Sequence, residues 1–299
     1  MRKSAVILFA VLSGAFGCRH PDPLQLTPTP PDSSNQVQIL SLATSDTSHL
    51  GDSVLTTGNP ADNVTFGGTI SLQRTLDDYV PFGSVRRIDT LDFASMVFLD
   101  KGRPVRDNSG RVYGYFGVPL AKASIGLLGM NVRPHYVHIP LVGDSLCGVE
   151  YRRLLSGIYH PDEGFTLGVS VVAPGTVTLG IKTPNDLVIH SPIGGATFNR
   201  NASMDLSWTG SGDLSIIISE YYPLRKTARA LLYIKPAVNA GHLTLASRVL
   251  QLLPEDHRQY VFTFILSNRT EITAVSGYAA KVLVQAAVVY NSYVQVMDE

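Results

Sequence analysis

Short runs of β-prone residues, separated by turns, recur from residue 37 onward and constrain the fold more than any other feature of the sequence. Apolar and polar residues alternate with a period of two in many of these runs, whereas the sustained 3.6-residue period of amphipathic helices does not occur. In the first half the runs include 37–40, 63–66, 69–72 and 95–99. The pattern predicts an all-β protein with two β-sandwich-type domains.

Two turn signals predict β-hairpins in the first half of the chain. The Asp-Asn-Ser-Gly stretch at 107–110 precedes a strand-like run, and Pro174-Gly175 separates the runs 165–172 and 176–181. The first turn also carries oxygen atoms suited to calcium, but the rest of a calcium-binding loop is missing. A plain hairpin turn is therefore the preferred interpretation.

The spacing of the runs becomes regular in the last third of the chain. It predicts roughly seven strands in about 110 residues, with turns every 8–12 residues, as in a β-sandwich. We therefore expect an irregular β-rich domain over 37–186 and a sandwich domain over 187–299. Residues 280–296 fit one bent strand or a final hairpin, and residues 247–254 are a short helical candidate with Ser247 as the N-cap.

The single tryptophan, Trp208, lies in an alternating run. Met204, Leu206 and Trp208 share one face of the predicted strand, and the residues between them are polar. This alternation predicts that Trp208 faces the core. The expected partners are Ile216 with Ile218 or Ile217, and Val261 with Phe262 or Phe264. The alternative is an exposed tryptophan that stacks on a sugar.

Four motifs in this region resemble a known class of module: Ile189-x-Ser-Pro-x-Gly-Gly, Leu206-Ser-Trp, Asn239-x-Gly-x-Leu-Thr-Leu and Leu250-x-x-Leu-Pro. Residues 188–299 are similar to immunoglobulin-like or fibronectin-III-like modules of bacterial envelope lipoproteins. The resemblance implies that Trp208 is a core residue and that the module serves display or binding. It leaves the ligand open, with a protein or a carbohydrate as the candidates.

The N-terminus carries an export signal. Arg2 and Lys3 precede an apolar run at 5–12, which is far shorter than the ~20 residues of a membrane-spanning helix and suits a signal peptide. The sequence Ala-Phe-Gly-Cys at 15–18 resembles the lipobox of bacterial lipoproteins. That resemblance implies cleavage after residue 17 and acylation of Cys18, and so a membrane partner held through the lipid. An ordinary secretory signal peptide is the alternative.

Residues 18–36 differ sharply in composition from what precedes them. Prolines recur between Ser, Thr and Asn, so the segment reads as an extended tether behind the acylated cysteine. Arg19 stands where many enteric lipoproteins have the Asp that retains them in the inner membrane. The expected location is therefore the cell envelope, at the outer membrane.

Charge and cysteine content exclude several classes of protein. The chain has 24 basic and 24 acidic residues, so it lacks the surplus of cations typical of nucleic-acid binders. With Cys18 acylated, Cys147 is the one remaining thiol, and its apolar neighbours predict that it is buried. His135 and His138 would point to opposite faces of a strand and could not share a metal ion. The sequence predicts no metal, no cofactor and no nucleic-acid partner.

One enzymatic alternative arises at residues 143–146, which spell the block of the GDSL esterases, with Ser145 as the implied nucleophile. Nucleophilic catalysis also needs a base and a group that orients it. The family supplies both from a late Asp-x-x-His block, but here that pattern occurs only upstream, at 46–49. We therefore expect a non-catalytic binding or structural module and keep a Ser145 esterase as the alternative.

Overall fold

A computed structural model describes residues 37–41, 65–81, 85–139, 142–157, 159–171, 175–224, 227–273, 275, 278 and 280–297. The predicted signal peptide (1–17) and the predicted acylation site and tether (18–36) lie outside these residues. Of the described residues 67% are in strands and 2% in helix, which confirms the all-β, sandwich-type fold. No helix of the described residues is long and apolar enough to cross a membrane.

The described chain forms one short helix, α1 (Ser247–Leu250), and 18 strands. In chain order the strands are β1 (Val37–Ser41), β2 (Gly68–Tyr79), β3 (Arg87–Arg106), β4 (Val112–Gly117), β5 (Lys122–Ile125), β6 (Leu128–Gly129), β7 (Asn131–Ile139), β8 (Gly143–Leu154), β9 (Gly164–Ser170), β10 (Val177–Lys182), β11 (Val188–Ser191), β12 (Thr197–Phe198), β13 (Met204–Thr209), β14 (Asp213–Tyr222), β15 (Thr227–Pro236), β16 (His242–Leu245), β17 (Gln259–Ile272) and β18 (Val282–Val296).

The strands form three sheets. The main sheet has 11 strands in the order β1-β15-β14-β17-β18-β2-β3-β4-β8-β7, with β12 paired to the end of β18 and a further pairing between β3 and β8. A four-stranded sheet has the order β10-β9-β5-β6, and a three-stranded sheet has the order β11-β13-β16. The predicted hairpins around 107–110 and Pro174-Gly175 are confirmed, because β3 pairs with β4 and β9 pairs with β10 in antiparallel register.

The principal hydrophobic core lies between one face of the main sheet and the two smaller sheets. Alternate residues of the main strands enter it, as the two-residue period requires, including Ile216, Phe262 and Val284. The smaller sheets contribute Leu167 and Trp208. We call this the inner face of the main sheet; on the outer face a second apolar cluster surrounds Ile217, Ile265 and Val289.

The predicted boundary between residues 186 and 187 falls between β10 and β11. Strands from both sides of it share the main sheet, because β2 pairs in parallel with β18 over the whole stretch from Gly68 to Asp78. They also share the principal core. At the other edge of the C-terminal strands, β1 pairs with β15.

The buried carboxylate of Asp78 also connects the two halves. The side chain of Asp78, at the end of β2, is fully buried and accepts two hydrogen bonds from Arg86, at 2.6 and 2.7 Å. The backbone N–H of Gly194 and the hydroxyl of Tyr290 donate to the same carboxylate. Burial alone would raise the pKa of Asp78, but these three partners outweigh it and lower that pKa.

Two local predictions need correction, and a third case decides between the two alternatives left open for 280–296. The helix ends at Leu250, earlier than predicted, and its N-cap is Ala246, which makes no side-chain capping hydrogen bond; Ser247 is already helical. The predicted strand over 63–66 is wrong where it is described, because β2 begins only at Gly68. The C-terminal run is the single strand β18 and not a hairpin.

Candidate functional site

Positive charge is concentrated in one part of this neutral protein. Between residues 99 and 157 the sequence has eight Lys or Arg and four Asp or Glu, a surplus of four positive charges that the rest of the chain balances. This segment contains the end of β3 and the strands from β4 to β8. We call it the basic lobe.

A cleft opens to solvent at the β7–β8 side of this lobe, with a volume of about 650 Å³. Three arginines and one carboxylate lie in it, together with an amide and an aliphatic side chain: Arg133, Arg152, Arg153, Glu150, Asn131 and Leu154. We call it the arginine cleft. Antiparallel register places Asn131 opposite Arg152 and Arg133 opposite Glu150, so the cleft residues are neighbours across the two strands.

Each charged group of the cleft has a distinct environment. The guanidinium of Arg152 lies over the ring of Phe93, 4.3 Å from its centre, and Arg153 donates a hydrogen bond to the carbonyl of Gly129. The carboxylate of Glu150 lies 3.4 Å from Nδ1 of His135. Within the described part of the chain, Arg133 is exposed and makes no ion pair or side-chain hydrogen bond. The cleft therefore presents more positive charge than its own carboxylate neutralises.

Two glycines fix the crossing of β4 over β8 that shapes the lobe. A Cβ atom on Gly117 would lie 2.2 Å from the carbonyl oxygen of Val149, and one on Gly148 would lie 2.2 Å from the carbonyl oxygen of Gly117. Gly148 also has a φ of 91°, which side chains rarely adopt. The close approach lets the two hairpins bury a small core of their own around Cys147.

Cys147 is buried with 2% of its surface exposed and is a free thiol, which confirms the prediction for this residue. Burial raises the pKa of the thiol, so the reactive thiolate is disfavoured. Cys18, the predicted acylation site, lies outside the described residues.

Three cationic side chains of the basic lobe lie over aromatic rings of the same lobe. The contacts, with distances to the ring centre, are Lys101 over Tyr115 at 4.0 Å, Arg103 over Phe116 at 4.2 Å and Arg111 over Tyr113 at 5.6 Å. Burial lowers the pKa of Lys101 to about 8. Tyr113 and Tyr115 are half-buried strand residues.

Ser145 lies within β8, opposite Val137 of β7. Among the described residues, no hydrogen bond joins its hydroxyl to a histidine or a carboxylate. The neighbouring Asp144 lies opposite His138, whose side chain is outside the described set, as is the Asp-x-x-His block at 46–49. The described geometry gives no support to the esterase alternative.

Asp107, which the sequence offered as a calcium ligand, has another role in the structure. Within the described ranges no group of three or more His, Cys, Asp or Glu side chains could hold a metal ion. The carboxylate of Asp107 is occupied within its own turn, where it accepts hydrogen bonds from the hydroxyl and N–H of Ser109, the N–H of Arg111 and the hydroxyl of Tyr113. The hydroxyl of Ser109 is the main cause that lowers the pKa of Asp107.

Trp208 is buried, with 2% of its surface exposed, which confirms the core assignment. Its ring lies 6.0 Å from that of Phe264, and its Nε1–H donates to Asn239 Oδ1 at 2.6 Å. The alternative of an exposed sugar-stacking tryptophan is wrong.

The sequence did not point to the arginine cleft, because its cations come from two strands whose register no local motif specifies. The surplus of basic residues over 99–157 was the available signal.

No protein-family model matches the chain, and no curated protein matches it significantly.

Proposed function

We propose that this protein is a lipid-anchored, non-catalytic binding module of the bacterial cell envelope, located at the outer membrane. The observation that carries the proposal is the position of Cys18, directly after a signal-peptide-like apolar run and a small residue, and directly before a proline-rich tether. Acyl chains on that cysteine would hold the protein stably at the membrane without a spanning segment.

An immunoglobulin-like identity for residues 188–299 is supported by the strand order. The strands β11-β13-β16 face β15-β14-β17-β18, which is the arrangement of two sheets in such sandwiches. Tyr260, near the start of β17, donates its hydroxyl to the backbone carbonyls of Pro254 and His257, as the tyrosine of an immunoglobulin-type corner does. Burial raises the pKa of Tyr260 to about 12, so its hydroxyl remains a donor at neutral pH.

The binding role is supported by the arginine cleft. The cleft is open and carries a guanidinium without a protein partner in the described chain, at Arg133. The described residues around Ser145 present no nucleophile paired with a base, so binding without turnover is the role that the geometry supports best.

The test of the anchor is Cys18→Ala in the full-length chain, expressed in a diderm bacterium that is fed a palmitate analogue. We expect the wild type to incorporate the label and to sediment with outer membranes, because Cys18 supplies the thiol for acylation. The variant should lose both the label and the membrane association.

The matched control is Cys147→Ala, which removes the chain's other cysteine and leaves Cys18 in place. It should label and sediment as the wild type does. Equal labelling of the wild type and Cys18→Ala would refute the lipoprotein assignment.

A further inference from the structure

We propose that the arginine cleft binds an acidic glycan, a sugar chain that carries carboxylate or phosphate groups. The proposal rests on the binding role inferred above and names the ligand class of that site. Its first support is the unbalanced charge of the cleft, where three arginines surround the single carboxylate of Glu150, which itself lies 3.4 Å from His135.

The arginines are arranged to recognise planar or tetrahedral anions. A guanidinium offers a fork of N–H donors that matches two oxygens of a carboxylate or phosphate. The contact with the ring of Phe93 restricts the guanidinium of Arg152 before an anion binds, so less side-chain entropy is lost on binding. Arg133 and Arg152 are diagonal neighbours in the β7–β8 register, which places their Cα atoms about 7–8 Å apart.

The remaining groups of the cleft suit a sugar better than a bare ion. The exposed amide of Asn131 can both donate to and accept from hydroxyl groups. Leu154, which is 59% exposed, and Pro134 provide apolar surface for the C–H faces of a sugar ring. Because the cleft is open to solvent, a chain can extend beyond it on both sides of the bound unit.

The charge of the surrounding lobe favours a ligand with repeated anionic groups. The cleft accounts for two of the four surplus positive charges over residues 99–157 and the rest of the lobe for the other two, so successive anions of one chain would meet a favourable potential. A single phosphate ion would use only a small part of this surface.

The experiment measures binding of the detergent-solubilised full-length protein to immobilised probes. The acidic probes are an oligogalacturonate and a phosphorylated dextran; their neutral counterparts are the methyl-esterified oligogalacturonate and plain dextran. We expect at least one acidic probe to bind, binding to weaken as salt is raised, and neither neutral counterpart to bind.

The variants assign the binding to the cleft. Arg133→Ala and Arg152→Ala should each weaken binding about tenfold, the ratio that ~1.4 kcal/mol represents. The matched control is Arg248→Ala, which removes an exposed arginine from α1, outside the cleft, and should bind as the wild type does.

Several results would overturn the proposal. These are equal binding of the acidic and neutral probes, binding of neither acidic probe, or an equal loss in Arg248→Ala. Cleft-dependent binding to phosphatidylglycerol vesicles without binding to either glycan would assign the cleft to lipid headgroups instead. Because these assays use solubilised protein, their outcome is independent of the Cys18 anchor, whose failure would appear only in the labelling experiment.

Discussion

Replacing Trp208 with alanine tests whether the packing of the two sheets depends on the one residue that the sequence assigned most specifically to the core. Trp208 has 2% of its surface exposed; its side chain packs on Phe264 and donates a hydrogen bond to Asn239. An aromatic side chain of this size buries roughly 200 Å², which at ~25 cal/mol/Å² is worth about 5 kcal/mol. Large-to-small substitutions of this kind cost about 3–5 kcal/mol, and we expect a loss in that range.

The assay is urea unfolding of the whole described fold, followed by circular dichroism. With a slope of ~3 kcal/mol/M, a loss of about 3–5 kcal/mol lowers the midpoint by roughly 1–1.7 M. Trp208→Phe keeps an aromatic ring in the core but loses the indole N–H that donates to Asn239, so we expect it to cost about 1–2 kcal/mol of unfolding free energy. Because Trp208 is the only tryptophan, fluorescence of the wild type reports unfolding at the same position.

The matched control is Val188→Ala, an apolar truncation on the adjacent strand β11 at a residue that is 49% exposed. It should change the free energy of unfolding by less than about 0.5 kcal/mol. A Trp208→Ala midpoint equal to that of the wild type, with an unchanged slope, would refute the assignment of Trp208 to a tightly packed core.

Two further predictions concern the contacts between the halves of the chain. Asp78→Asn should destabilise the fold at pH 7 and make its stability less dependent on pH in the acid range. The lowered pKa of Asp78 adds stability above pH ~4, and that stability is lost as the pH falls through the folded-state pKa. Curves of unfolding free energy against pH that run parallel for the wild type and the variant would contradict this role. A fragment of residues 187–299 should self-associate with rising concentration in sedimentation experiments, because it exposes the edges of β15 and β18 that β1 and β2 cover; a monomer at every concentration would contradict this.

Much of the local structure could be predicted from the sequence because strand signals are local. Alternation around Trp208 gave its orientation, and turn residues at 107–110 and Gly175 gave two hairpins. The helix start was wrong because Ser247 has the residue type of an N-cap, whereas the extended residue before the helix is Ala246 and Ser247 is already helical. Residue type alone does not distinguish an N-cap from the first helical position.

The arginine cleft could not be predicted, because it depends on register. Arg133 and Arg152 lie on different strands, and a bulge between Pro134 and Tyr136 shifts the pairing of β7 with β8. A one-residue shift moves every later side chain to the other face of a strand. The sequence holds the excess of basic residues, whereas the position of the bulge decides which of them meet.

The pairing of β2 with β18 explains why the sheet does not stop at the predicted boundary. The four strands β15-β14-β17-β18 would alone present two open edges, and open edges promote pairing with other chains. The chain covers one edge with β1 and the other with β2, whose apolar inner-face residues Ile70 and Leu72 extend the same core. Because β2 pairs with β3 and β3 pairs with β8, a continuous hydrogen-bonded sheet then runs from the C-terminal module to the arginine cleft. The residues that protect the module's edge therefore also set the position of the cleft relative to the module.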